Sequence, residues 1–492
     1  MEEDYIKVIF GLKLKQIRTE RNLSLFGLSK LSGLSKSYLN EIENGKKYPK
    51  PDKIITLAEK LDVPYDQMVS LKLDKNLAPI GDLLSSKILK EIPLDLFGIK
   101  ESDLIDIVAN APSKVNAFIS TIIKIAQNYN FSRESFFLAS VRSFQEANNN
   151  YFEELEQGVL NFAKAYQINL DMPITSRDLG EILVEEFGYT IVDDELNKFQ
   201  ALDNLRSVFV PKTKTLLLAN EIDEAQRTFI YAKELAYNFL EIKERLYTFP
   251  WIKFKTFDQV LNNFYASYFA GALIIPNAKI KVLLNEIFEK DTLDRDLFLN
   301  AIENFNASAE SFYQRLTNIL PKEFNLQNLF FLRFTHKAGS EKFYLKKELH
   351  LSHEHSPHAN EAGEHYCRRW VSIKMLEDIS KSKKEHEFDL QISNYPDDGM
   401  KYLVLSSATK DPFKENHYRS ISVGLLINRQ LQRKINFLSD PKIITQDVGV
   451  TCERCPIQDC EVRQRPAIYL ERAAKNKKVE NIVEELNAKF QS

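Results

Sequence analysis

The chain has 492 residues and four cysteines, Cys367, Cys452, Cys455 and Cys460, all in its last third. Three of them read Cys452-Glu453-Arg454-Cys455-Pro456-Ile457-Gln458-Asp459-Cys460. A C-x2-C pair can place two thiolates on one metal, the x4 step can bring a third around it, and Cys367 can complete four. Four thiolates suit a tetrahedral zinc or a 4Fe–4S cluster. Arg454, Arg463 and Arg465 would offset thiolate charge and donate hydrogen bonds to sulfur. His350, His353, His355, His358 and His365 crowd before Cys367. His365 is the alternative fourth ligand, whereas His353, His355 and His358 read as a solvated polar loop. So few cysteines in so long a chain make no disulfide framework.

A second set of chemistry-bearing residues lies near the N-terminus, in Ser35-Lys36-Ser37-Tyr38-Leu39-Asn40-Glu41-Ile42-Glu43-Asn44-Gly45-Lys46. At helical spacing Leu39 and Ile42 share an apolar side. The other side offers side chains able to hydrogen-bond base edges and phosphates in a major groove. The candidate DNA-binding residues are Ser35, Lys36, Ser37, Tyr38, Asn40, Glu43, Asn44 and Lys46. Ser37, Asn40 and Lys46 come first among them, with Lys46 on phosphate. The positioning elements are legible. Leu12, Leu14 and Ile17 mark one helical face, and Ser24 and Ser35 are N-caps of the next two helices. Gly33 sits in the turn between those helices, and Gly45 fits the left-handed position after the second. Pro49, Pro51 and Leu57-Ala58-Glu59-Lys60-Leu61 close the unit. The stretch resembles the lambda-repressor and Cro-like (XRE) family over about 60 residues, which implies a five-helix head that grips double-stranded operator DNA. Many members carry Gln at the second position of helix two, where this chain has Leu25.

Charge is consistent with that head. Residues 1–72 hold 13 Lys and Arg against 10 Asp and Glu, a net of +3; the whole chain is −3, leaving −6 for the rest. A basic head on an acidic body suits one face turned to phosphate.

A third site lies mid-chain. The helix Thr228 to Leu240 contains Tyr231-Ala232-Lys233-Glu234-Leu235-Ala236-Tyr237, and Asn262-Asn263-Phe264-Tyr265 opens a later helical run. These segments resemble the zinc-peptidase helices of the ImmA/IrrE-like family, where His-Glu-x-x-His gives two ligands and a general base and a later Glu gives the third. Here Lys233 and Tyr237 stand at the histidine positions and Asn263 at that of the Glu. Only Glu234, at the base position, is kept. An ammonium cannot ligate zinc and a neutral amide is a poor ligand, so no peptidase activity is expected.

The size predicts several domains. Residues 1–72 are the helix-turn-helix head, 73–168 a helical linker and dimerisation region, 169–280 the degenerate peptidase frame and 281–492 a C-terminal sensor domain with the cysteines. The fold class is multidomain, mainly α with α+β: a five-helix head, a helical linker bundle, a zincin-like α+β pseudo-peptidase and an α+β cysteine-containing domain. Ser132 to Ala165 reads as one long helix, and a final helix runs from about Val479 to Phe490. Hydrophobic content of 44% and charged content of 27% are those of a globular protein. The longest apolar stretch, Phe264 to Pro276, is too short to cross a bilayer. The acidic start, Glu2-Glu3-Asp4, is unlike a secretory signal, so a cytoplasmic place and no membrane partner are expected.

The three features in this order resemble the short-chain fatty acyl-CoA regulator family, whose ending is matched by Cys452-x2-Cys455-x4-Cys460-x2-Arg463-x2-Pro466-Ala467. The resemblance implies transcriptional control of short-chain (propionate-type) acyl-CoA metabolism, with CoA or acyl-CoA as effector and a cysteine-bound iron–sulfur cluster as cofactor. One head per chain suits a homodimer on a two-fold operator. The alternatives are a metallopeptidase-type enzyme that cleaves a repressor, and a plain phage-type repressor with a structural zinc. Arg368, Arg369 and Trp370 could hold phosphate and adenine, or form a local surface ion pair.

Overall fold

The computed structural model describes residues 2–70, 133–250, 253–351, 363–382 and 384–491. Most of the predicted linker, 73–168, lies outside the described residues, as do His353, His355 and His358. The chain divides into two compact units, Met1–Ser140 and Val141–Ser492.

The first unit is built on five helices: α1 (Glu2–Glu20), α2 (Leu25–Ser32), α3 (Lys36–Glu43), α4 (Pro51–Lys60) and α5 (Tyr65–Val69). Each helix contributes apolar residues at 3.6-residue spacing. The resulting core is Phe10, Leu14, Leu28, Leu39, Ile42, Ile54, Leu57, Ala58, Leu61 and Met68. The caps form where the sequence places them. Ser24 Oγ accepts from the Gly27 amide at 3.0 Å and Ser35 Oγ from the Tyr38 amide at 3.2 Å. Gly33 (φ +74°) and Gly45 (φ +67°) take the left-handed conformation that ends each helix. Gly11 has a different role: a Cβ there would lie 2.2 Å from the Ile42 carbonyl oxygen. Only glycine lets α1 run this close to the end of α3.

The second unit opens with α6 (Arg133–Ala147), which begins in the first, and α7 (Glu153–Ala165). The single long helix expected over Ser132–Ala165 is therefore two. Asn149 and Asn150 adopt left-handed φ of +49° and +50°, which asparagine tolerates better than most residues. The Asn150 side chain donates to Thr317 Oγ1 at 2.7 Å, so the break is fixed by burial.

Next come α8 (Ser176–Glu185) and a four-stranded sheet of β1 (Thr190–Val192), β2 (Ser207–Val210), β3 (Thr215–Leu218) and β4 (Thr248–Phe249) in the order β1-β3-β2-β4. Between β3 and β4 runs α9 (Glu224–Phe239), and after β4 come α10 (Phe257–Ile274), α11 (Asn277–Glu289), α12 (Arg295–Asn304) and α13 (Ala309–Glu323). Arg315 of α13, 1% exposed, makes a bidentate pair with Glu156 of α7 at 2.6 and 2.8 Å and donates through Nε to the Ile275 carbonyl. Tyr268 of α10 donates to the same carboxylate at 2.7 Å, so one buried ion pair ties three helices.

A six-stranded sheet follows, ordered β10-β7-β8-β9-β5-β6. Its strands are β5 (Leu329–Lys337), β6 (Phe343–His350), β7 (His386–Tyr395), β8 (Met400–Lys410), β9 (His417–Leu426) and β10 (Ile444–Asp447). All pairs are antiparallel except β10 with β7. Leu329, Phe331, Leu403, Leu405, Ile421, Val423 and Leu425 join the core that α13 shares. Phe330, Leu332, Phe334, Tyr402 and Val404 join a second core with α14 (Val371–Lys381) on the opposite face. Burial on both faces explains the continuous apolar run Leu329–Leu332. A short helix, α15 (Arg429–Lys434), follows β9, and the last helix, α16, spans Ile468–Gln491. It starts eleven residues before the Val479 expected, because its first half carries no apolar periodicity to mark it. Among the described residues no single helix is long and apolar enough to cross a membrane.

Candidate DNA head, degenerate peptidase centre and cysteine loop

In the head, Ser35, Lys36, Ser37, Asn40 and Lys46 are exposed on one side of α3 and its C-terminal turn. Asn44 is half-buried. Tyr38 packs partly on the head core, with Lys47 Nζ 5.3 Å from its ring centre. Glu43 is turned the other way. It is 5% exposed and takes a bidentate ion pair from Arg18 of α1 at 2.6 and 2.9 Å. The expectation that Glu43 faces DNA is corrected: it fastens α3 to α1. That hydrogen bond holds the Arg18 guanidinium above its ordinary range, against burial. Leu25 packs partly against the head core, which accounts for an apolar residue at that position. Its neighbour Phe26 is 56% exposed beneath Lys30, a feature that helical periodicity did not flag.

In the second unit α9 and α10 bring together the three positions predicted from the peptidase resemblance. Lys233 Nζ donates to Asn263 Oδ1 at 2.6 Å, and Tyr237 OH donates to the same oxygen at 3.5 Å. Lys233 is 6% exposed, with its ammonium 4.8 Å from the Phe249 ring. Burial pushes its pKa down to about 7; Glu234 opposes this, while Arg245 and Lys347 reinforce it. The base position is occupied as well. Arg245 Nη2 donates to both Glu234 oxygens at 2.5 and 2.7 Å, and Tyr189 OH donates to Glu234 at 3.0 Å. The Arg245 guanidinium lies 4.0 Å over the Tyr237 ring and 4.4 Å over Phe209. Burial raises the Tyr189 hydroxyl to about 12.

These residues do not fit a catalytic zinc. The Lys233 amine donates to Asn263, and Tyr237 and Asn263 offer a phenol and a neutral amide in place of an imidazole and a carboxylate. The carboxylate that would activate water is engaged on both oxygens by a guanidinium. Lys233 instead fills a histidine position and hydrogen-bonds Asn263, the residue at the third ligand position.

Beside this centre lies a cation cluster that no motif announced. Arg333 on β5 and Lys347 on β6 are direct cross-strand partners. They reach Glu310, on the first turn of α13, at 3.3 and 3.8 Å. Arg206, just before β2, and Arg419, on β9, complete a group of four cations. Burial would raise the Glu310 carboxyl, but Arg333, Lys347, Arg206 and Arg419 hold it down at about 2. Arg206 is itself lowered to about 10 by burial and by Arg419 and Arg333, with Glu310 and Asp411 opposing. Its guanidinium lies 5.3 Å from Phe249 and 5.2 Å from Phe413. Four cations thus face two carboxylates, and Arg333 Nε is buried without a hydrogen-bond partner among the described residues. Phe249 touches both Lys233 and Arg206, so the degenerate centre and the cluster share one wall.

The cysteine segments meet through an antiparallel bridge, Tyr366 with Thr451. The Cys367 amide donates to Val450 O at 3.1 Å and the Cys452 amide to His365 O at 2.8 Å. Arg463 donates to the carbonyls of Cys452 and Cys455 at 2.8 and 3.1 Å, curling the loop around itself. Gly449 leaves the room: a Cβ there would lie 2.7 Å from Cys455 Sγ. All four thiols are free, and all but Cys460 are buried. Burial pushes the Cys367 thiol up to about 11, and Cys455 and Cys452 are close enough to raise it further. His365 is held by Glu453, Nδ1 to Oε1 at 2.7 Å. Among the described residues no group of three or more His, Cys, Asp or Glu side chains is arranged to hold a metal ion. By donor chemistry alone four thiolates suit a thiophilic metal or cluster, but the described side chains are not gathered into such a site. Arg368 pairs with Glu377 and lies 4.3 Å over Phe343, a local ion pair rather than an open phosphate clamp.

Residues 14–68 match the helix-turn-helix family. Residues 184–317 match the IrrE N-terminal-like domain. The chain therefore joins a DNA-binding type of head to a peptidase-like frame. The HTH-type transcriptional regulator PrpR of Mycobacterium tuberculosis is 23% identical over 249 residues, 47% of this chain and 48% of that protein. The HTH-type transcriptional repressor RghR of Bacillus subtilis is 43% identical over 61 residues, 12% of this chain and 45% of that protein. The chain spans about half the length of the curated relatives it matches. A solved Mycobacterium tuberculosis transcriptional regulator superposes with a TM-score of 0.46 at 21% identity, over 66% of this chain and 92% of that one.

Proposed function

We propose that the chain is a sequence-specific, DNA-binding transcriptional regulator of the cytoplasm. It works as a homodimer, and its peptidase-like frame binds an effector instead of cutting a peptide. One observation carries the DNA reading: the exposed polar side of α3, held by two serine caps and the Gly33 turn, presents Lys36, Ser37 and Asn40 together with Lys46. Asn40→Ala is expected to cost about 1–3 kcal/mol of binding and to relax preference at one base position. Lys46→Ala is expected to weaken all sequences alike and to lower the salt dependence by about one phosphate contact. Fluorescence anisotropy on matched and mismatched duplexes at several salt concentrations checks both. Unchanged affinity in both variants would remove α3 from the groove.

The proposed effector is CoA or a short-chain acyl-CoA. The cation cluster supports an effector that carries phosphates, since Arg206, Arg333, Lys347 and Arg419 outnumber the carboxylates among them. Arg206→Ala with Arg419→Ala is expected to weaken CoA binding about 100-fold or more, as two charge-assisted contacts are removed. Isothermal titration with CoA and with propionyl-CoA measures this, and an unaltered affinity would move the effector elsewhere.

Cys367, Cys452, Cys455 and Cys460 would hold the proposed cofactor, a 4Fe–4S cluster or alternatively zinc. A cluster would make the loop sensitive to redox or iron status, and a zinc would make it structural. Anaerobic purification is expected to yield about four irons and four sulfides per chain, both lost in Cys452→Ser. One zinc and no iron would select the alternative. The IrrE-like match keeps a second reading in view, a repressor-cleaving metallopeptidase. Lys233 and the Glu234–Arg245 pair stand against it.

A further inference from the structure

Helix α16 leaves the body of the protein. Its first turn meets the cysteine loop, where the Arg454 guanidinium lies 4.1 Å over the Tyr469 ring. From Glu471 to Phe490 every residue is exposed. An isolated helix that exposes all its faces to water is expected to be polar all round, yet Val479, Ile482, Val483, Leu486 and Phe490 are 46–80% exposed. Their spacing puts them on one stripe. Between Lys475 and Glu485 the charges are segregated, Lys475, Lys477 and Lys478 preceding Glu480, Glu484 and Glu485, with Glu471, Arg472 and Lys489 outside that segment.

We propose that α16 pairs antiparallel with α16 of a second copy of this chain, burying the stripe of each against the other. The proposal rests on the dimeric reading above and gives that dimer an interface. A parallel pair would set lysines beside lysines and glutamates beside glutamates. An antiparallel pair lays the lysine half of each helix along the glutamate half of the other, with Lys478 beside Glu485 of the second copy at two symmetric places. The helix dipoles then also run in opposite directions. Such an isologous contact closes at two copies and leaves no apolar stripe for a third.

Sedimentation velocity of the full chain over a micromolar concentration range tests this. Ile482→Lys changes an exposed position, so circular dichroism and melting should stay as in the parent. Self-association should weaken by about tenfold or more. Lys478→Glu and Glu485→Lys should each weaken it, the double variant should restore it, and mixing the two single variants should give heterodimers. A dimer unaffected by Ile482→Lys would overturn the α16 interface while leaving the dimer itself standing. A parent chain monomeric throughout would overturn both, and the stripe would then belong to another partner.

Discussion

Lys233→Met stabilises the second unit below neutral pH and flattens the pH dependence of its stability. An unfolded lysine keeps its proton to about 10.5, whereas burial brings the folded Lys233 down to about 7. Between those values unfolding takes up a proton, so stability rises as pH rises from about 7 to about 10.5. Below about 7 both states are charged, and the destabilisation from burying the ammonium is present in full. The shift from 10.5 to about 7 corresponds to ~5 kcal/mol at ~1.36 kcal/mol per unit. Methionine fills a similar volume but loses the hydrogen bond to Asn263, so a net gain of about 2–4 kcal/mol is expected at pH 6 and little at pH 10. Hydrogen exchange of the α9 amides across this range reads the effect locally. Parallel pH profiles in the two proteins would show that Lys233 is not the buried ammonium described.

Glu234→Ala is expected to destabilise the same unit by about 3–5 kcal/mol, because it leaves the Arg245 guanidinium buried and unpaired. The two side chains are 7% and 8% exposed, and the carboxylate takes both short Arg245 contacts as well as the Tyr189 hydroxyl. Removing both charges together, with Glu234→Leu and Arg245→Met, should recover most of the loss, since the pair is replaced by apolar volume. Thermal unfolding of the single and the double variant tests this. A working peptidase gives the opposite pattern: Glu234→Ala would keep its stability and lose a zinc-dependent cleavage.

The contrast between these two residues and a metal centre was legible in the sequence because the peptidase positions are local, four apart on one helix with the third on a later helix. What stood out as missing histidines becomes, in space, one buried ammonium hydrogen-bonded to Asn263, with Tyr237 beside it. The head was legible for a similar reason. Capping and left-handed positions depend on a few adjacent residues, and Ser24, Gly33, Ser35 and Gly45 perform as their types require. Glu43 was misread because helical spacing does not place Arg18, which lies on another helix and turns the carboxylate inward. The cation cluster could not be read at all. Arg206, Glu310, Arg333, Lys347 and Arg419 are scattered along the chain and meet only once the six-stranded sheet packs beside the peptidase-like frame. β7 carried a usable signal, since Phe388, Leu390 and Ile392 alternate with polar residues, whereas β10 shows mostly exposed positions. The break at Asn148–Asn150 was overlooked because the helical periodicity continues on both sides of it.

The central claim is that the exposed side of α3 reads a defined DNA sequence. Selection of binding sites from a random double-stranded pool by the 492-residue chain tests it most directly. The expected result is an inverted repeat whose half-sites lie about 10 base pairs or a multiple of that apart. Enrichment should be sharply reduced by Asn40→Ala and overall retention by Lys46→Ala. A pool that stays random through successive rounds, or retention that ignores both substitutions, would contradict the assignment of the head as a sequence-specific reader.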